Sequence, residues 1–95
     1  MKSISMKKAI DIGITNISQY LIYNYILHKE SFSKKIKIDG ITYFKLNFDL
    51  AQEELPLMRL KEDTLYRHLL YFERKGIISF KKLHKKKEYI KIIKK

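Results

Sequence analysis

The chain has 95 residues, 45% of them hydrophobic, a net charge of +11 and no cysteine. Such a length suits one small domain that buries about 60 to 65% of the surface of its unfolded chain, too little to enclose a large active site. The absence of cysteine excludes a disulfide framework and a thiolate metal site, and the hydrophobic content argues against a disordered chain.

Residues 1–14 read as an N-terminal covering segment, in which residues 5–12 suit a short helix stopped at Gly13. Lys7, Lys8 and Asp11 interrupt its apolar character, so no signal peptide is expected. Thr15 or Asn16 caps a helix running to about residue 29. On it Ile17, Tyr20, Leu21, Asn24 and Leu27 lie close to one stripe, and Ile22, Tyr23, Tyr25 and Ile26 cover much of the rest. A helix apolar nearly all round must be buried on more than one side, under the N-terminal segment or against another chain. The alternative is a half-exposed helix whose tyrosine hydroxyls reach solvent. If the second side is a partner, the expected homodimer surface is Ile22, Tyr23 and Ile26. The apolar run at 20–27 is far below the roughly 20 residues that cross a bilayer, and a cytoplasmic protein without membrane contact is expected.

Residues 31–37 are polar and basic and are expected to form a loop, with Asp39-Gly40 a turn. Alternation predicts a strand over 41–48, with Ile41, Tyr43 and Lys45 on one face and Phe44, Leu46 and Phe48 on the other. Asp49 is the expected cap of a second short helix through Leu55, which Pro56 ends or follows with a new turn. Residues 58–61 make a tight connection to a helix over 61–75. In that helix Leu65, Leu69 and Phe72 form the apolar stripe, while Tyr66, Arg67, Tyr71 and Arg74 lie off it. Glu62 and Asp63 suit its N-terminus, with Asp63 a cap in its own right, Arg74 and Lys75 suit its C-terminus, and Gly76 stops it. Two strands, 77–83 and 88–93, then flank His84-Lys85-Lys86-Lys87 and form a hairpin over 77–93. The order helix, helix, strand, helix, helix, strand, strand predicts an α+β chain. Its plan is a small winged helix-turn-helix domain over 1–95, with three to four helices, a short strand, a recognition helix and a C-terminal β-hairpin wing.

The sequence also resembles the N-terminal winged-helix domains of replication initiators of phages and plasmids. The likeness rests on Ala9-Ile10-Asp11-Ile12-Gly13-Ile14, Asp39-Gly40-Ile41-Thr42-Tyr43 and Leu50-Ala51-Gln52-Glu53-Glu54-Leu55-Pro56-Leu57. It closes on Thr64-Leu65-Tyr66-Arg67-His68-Leu69 and Phe72-Glu73-Arg74-Lys75-Gly76-Ile77-Ile78, and spans about residues 9–80. The resemblance implies DNA binding in the replication or transcription of a mobile element. Initiators of this group usually continue into a second domain, and 95 residues fit a regulator at least as well.

Charge points the same way. Residues 77–95 hold eight Lys and one Glu, whereas residues 49–63 hold five acids and two bases. An A/T-rich coding sequence would raise lysine without any selection for binding, but it does not explain 21 basic against 10 acidic residues. The segregation is that expected of a binding face, the alternative being a solvated, A/T-biased tail. Arg67 suits bidentate pairing with guanine or a phosphate clamp, and alternatively an ion pair with Asp63 four residues back. Lys61 and Thr64 suit phosphate at the helix start, although Thr64 also suits a cap. Tyr66 and Tyr71 are sugar or phosphate contacts or else packing residues, and Arg74 is peripheral. In the wing Lys81, Lys82, Lys85, Lys86 and Lys87 offer affinity with little sequence reading. The competing reading is a protein-interaction module presenting Tyr66, Leu70 and Tyr71. RNA binding would need a ladder of exposed strand aromatics. No enzyme, metal or cofactor is expected. His28, His68 and His84 fall in separate elements, Glu53 and Glu54 diverge, and the glycines are isolated.

Overall fold

The computed structural model describes residues 3–84 and 87–93, with the side chains of these except at 82–84 and 87. Helix α1 (Met6–Ile12) begins where the Ser5 side chain accepts the Lys8 N–H, and it ends at Gly13, φ 108°. Asn16 caps α2 (Ile17–Glu30) by accepting the Gln19 N–H. Thr15 serves differently, donating its N–H and hydroxyl to Gln19 Oε1 at 2.8 and 3.1 Å. The N-terminal segment is pinned to α2 by two further bonds, from Ile4 N–H to Asn24 Oδ1 at 2.9 Å and from the Tyr20 hydroxyl to Ile4 O at 2.7 Å.

The expected loop over 31–37 instead contains strand β1 (Lys35–Ile38), which pairs antiparallel with β2 (Ile41–Asn47). The signal for it was Lys-Ile-Lys-Ile, a period of two in which lysine supplies the polar face. Lysine is also what protects an exposed sheet edge. Asp39 and Gly40 join the strands with φ of 52° and 78°, the pair of positive angles that a two-residue type I′ hairpin requires. Strand β2 stops one residue earlier than expected, because Asn47 rather than Asp49 caps α3 (Phe48–Glu54), accepting the Leu50 N–H. Phe48 therefore enters the core from a helix. Pro56 opens a single 3-10 turn, Pro56–Met58, and Arg59 takes a left-handed φ of 48°. Helix α4 (Glu62–Arg74) then starts with Lys61 in the cap position and without a side-chain cap bond. Asp63 and Thr64 thus lie inside the first turn, where Asp63 still meets the positive helix end. Beyond α4, β3 (Ile78–His84) and β4 (Lys87–Ile92) complete an antiparallel sheet of order β1-β2-β4-β3.

One sheet face packs on the helices. Phe44, Leu46, Ile78, Ile90 and Ile92 meet Ile22, Tyr23, Ile26, Leu65, Leu69 and Phe72 in a common core. Tyr23 and Phe72 stand edge to face with centroids 6.0 Å apart. Ile22, Tyr23 and Ile26 are 1%, 0% and 0% exposed, so they cannot serve as a dimer surface. Helix α2 is covered on several sides by its own chain, while Ile17 and Leu21 of its apolar stripe stay outside. Its tyrosines bond to protein rather than reaching solvent. Tyr25 donates to Glu54 at 2.7 Å, and Lys29 meets the same carboxylate at 2.7 Å. These two partners hold the Glu54 carboxyl below its ordinary range. Burial, with the nearby Glu30 charge, pushes the Tyr23 hydroxyl up to about 12. Among the described residues no helix is long and apolar enough to cross a membrane.

Candidate nucleic-acid interface

Helix α4 divides into four faces. Leu65, Leu69 and Phe72 point into the core. One flank meets β3, where Tyr66 packs edge to face on Phe80 at 5.8 Å and Glu73 accepts the Phe80 N–H at 3.4 Å. The other flank meets the end of α1, where the Tyr71 hydroxyl donates to Gly13 O at 2.8 Å and Lys75 lies over the Tyr71 ring at 5.7 Å. The remaining face carries Asp63, Arg67 and Arg74, all exposed, around a half-buried Leu70.

Tyr66 and Tyr71 are both half-buried, and both fix the helix instead of projecting from it. Removing the Tyr71 hydroxyl tests this directly. Tyr71→Phe is expected to cost about 1 kcal/mol in denaturant unfolding, the usual net worth of one hydrogen bond, without altering binding to any ligand of the open face. Leu70 and the two tyrosines do not assemble into an open apolar patch.

Arg67 lies 3.6 Å from Asp63, with the two side chains 73% and 75% exposed. So open a pair is worth little in water and yields readily to a stronger anion. Lys61 and Arg74 are also exposed, whereas Thr64 is half-buried. Residues 61–75 hold four basic and three acidic side chains, a net of +1, so the helix is not the electrostatic centre. In sequence the basic residues concentrate in 77–95, with eight Lys and one Glu. Lys81, half-exposed, comes within 3.9 Å of Asp39 at the tip of the first hairpin. Lys82 stands opposite Glu88 in the ladder, and His84 opposite Lys87. Lys85 and Lys86 lie outside the described residues, as do the side chains of Lys82 and Lys87.

Sequence reasoning missed two features of this surface. Phe80, the contact through which Tyr66 docks α4 on β3, read only as one more apolar strand residue. The lysines Lys35 and Lys37 belong to a strand, on the opposite sheet edge from β3, and only their alternation with isoleucine signalled it.

His68 is half-buried beside Phe72, with ring centroids 6.5 Å apart. Burial lowers its pKa, and the Arg67 charge adds to the effect. A histidine depressed in the folded state is protonated first in the unfolded chain, so stability falls as pH drops below the ordinary value of 6.5. Thermal melts between neutral and mildly acid pH should therefore show a steeper loss for the parent than for His68→Gln. Equal slopes would refute the assignment. Among the described residues no group of three potential metal ligands occurs.

Comparison with family models, curated proteins and solved structures gives no match to this chain.

Proposed function

We propose that the protein binds double-stranded DNA as a winged helix-turn-helix domain, with α4 in the major groove and the β3–β4 hairpin along the backbone. The observation that carries this reading is the docking of α4 on β3 through Tyr66, Phe80 and Glu73. It leaves Arg67 and Arg74 exposed on a helix packed against β3, and residues 77–95, to which β3 belongs, hold eight Lys and one Glu. The connectivity supports it as well. A short helix, a turn and α4 lie between β2 and β3, and β4 pairs between those two strands, which is the arrangement that presents a helix with a wing next to it. By the resemblance to replication-initiator domains, the role is control of transcription or replication of a mobile element.

The roles divide by chemistry. Arg67 reads base edges, and Arg67→Ala should cost about 1–3 kcal/mol on the preferred sequence and relax preference there. Wing lysines neutralise phosphate, so Lys86→Ala should weaken all sequences alike and lower the salt slope by about one unit. The founding experiment is fluorescence anisotropy with duplex from the region upstream of the gene and with random duplex, at several salt concentrations. Tight, salt-steep binding that prefers the upstream duplex is the expected result, and absence of binding at low salt overturns the proposal. A protein-interaction module is the second reading, favoured by Leu57, which is 97% exposed on the turn before α4. Weak salt dependence would identify it.

A further inference from the structure

The N-terminal face of the molecule carries an apolar surface that its core does not use. Helix α1 turns Ala9 and Ile12 inward and leaves Met6 and Ile10, one turn apart, 57% and 70% exposed. The first turns of α2 leave Ile17 and Leu21, again one turn apart, 55% and 44% exposed. Between the two helices runs an open groove whose lining includes Met6, Ile10, Ile14, Ile17 and Tyr20. Four such side chains expose on the order of 400 Å² of apolar area, within the range where a monomer's largest patch is often functional.

The charges bordering this surface select the occupant. Asp11 is the only acid in residues 1–29, and it stands one turn from Lys7 on the flank of α1 next to Met6 and Ile10. When two identical helices pack antiparallel about a two-fold axis, equivalent flanks face each other. Lys7 of one copy then meets Asp11 of the other, and Asp11 meets Lys7, while Met6 and Ile10 interdigitate between them. Among the described residues Lys7 and Asp11 make no ion pair within the chain, so both are available for this arrangement. A partner of general acidic character would match the lysines but would leave Asp11 opposed by like charge. A second copy satisfies both signs.

We infer that the protein self-associates through α1 and the start of α2, packing Met6, Ile10, Ile17 and Leu21 against their symmetry mates with reciprocal Lys7 and Asp11 pairs. With its polar rim, such an interface buries about 1,000 Å² in total, the lower bound for a specific but reversible dimer. The surface is separate from α4 and the β3–β4 hairpin, and the inference stands or falls independently of DNA binding.

Sedimentation velocity of the full chain over a range of micromolar concentrations tests it. The parent should shift from monomer to dimer as concentration rises. Ile10→Lys, at an exposed position, should weaken association by about tenfold or more, with an unchanged thermal melt at dilute concentration. Asp11→Lys should weaken it as well, by setting lysine against lysine. The double exchange Lys7→Asp with Asp11→Lys should restore it. A parent that stays monomeric overturns the proposal, as does association that Ile10→Lys leaves untouched. A double exchange that fails to recover what Asp11→Lys lost also overturns it, since reciprocity is what identifies the second copy.

Discussion

Replacing Lys81, Lys82, Lys85, Lys86 and Lys87 together by glutamine should flatten the salt dependence of DNA binding by roughly four to five units of the log–log slope. The basis is a loss of about 0.9 unit for each phosphate contact removed. Affinity at physiological salt should fall by on the order of a hundredfold to a thousandfold, and equally for preferred and random duplex. The reason is the division of charge along the chain. The α4 segment is nearly neutral, whereas residues 77–95 hold eight of the 21 basic residues against one acid. The core side of the hairpin keeps Ile78, Ile90 and Ile92, but Lys82 stands opposite Glu88, which is 1% exposed, so the four-lysine variant that keeps Lys82 is measured beside it. Salt-titrated anisotropy gives the slope, and a thermal melt supplies the control. Binding that persists with an unchanged slope would remove the hairpin from the interface and turn attention to the lysines of β1.

The largest effect on stability is expected at Phe72. Its ring is fully buried, edge to face with Tyr23 and with its neighbour Tyr71, and near His68. It is the point at which α4 meets α2. Phe72→Ala removes the ring and leaves a cavity that three flanking aromatic residues cannot close without moving, at a cost of about 3–5 kcal/mol. For a domain of this size total stability is about 5–15 kcal/mol, so the substitution consumes a large share of it. The melting temperature should fall by roughly 15 to 30 °C. Denaturant titration gives the value directly. A loss below about 1 kcal/mol would mean that the ring does not hold α4 in place.

DNA binding of Phe72→Ala, measured well below its melting point, also separates two meanings of the core. If α4 reads a groove at a set angle, the variant should lose preference between duplexes before it loses affinity. The hairpin lysines would still meet phosphate, while the helix angle is no longer fixed.

Local chemistry was legible wherever one segment carried its own instruction. Leu65, Leu69 and Phe72 recur at the helical period, and all three are buried on α4. Gly76 follows them with φ 71°, the left-handed residue that ends a helix. Asp39-Gly40 dictated a turn whatever lay on either side. The strand pattern after Gly76 needed no partner to be recognised, and charge segregation is a property of the sequence alone.

What the sequence left open is what depends on which face meets which neighbour. Helix α2 is apolar nearly all round, so its periodicity holds no information about direction, and only packing against the sheet and the N-terminal segment put Ile22, Tyr23 and Ile26 inside. Lys-Ile-Lys-Ile carries the period of two of a strand, but over four residues that are half lysine the signal is too weak to fix one. It became β1 because the Asp39-Gly40 turn folded it back on β2, whose backbone groups needed partners. Tyr66 and Tyr71 offer a ring and a hydroxyl to protein or ligand alike. Phe80 and the Gly13 carbonyl, 14 and 58 residues away in sequence, decided their use. The sequence by itself determined the helices, the turns and the place of the charge, since these follow from periodicity and backbone preference over a few residues. The tertiary structure alone decided which tyrosines are structural and which apolar residues remain outside, because burial is set by contacts distant in the chain.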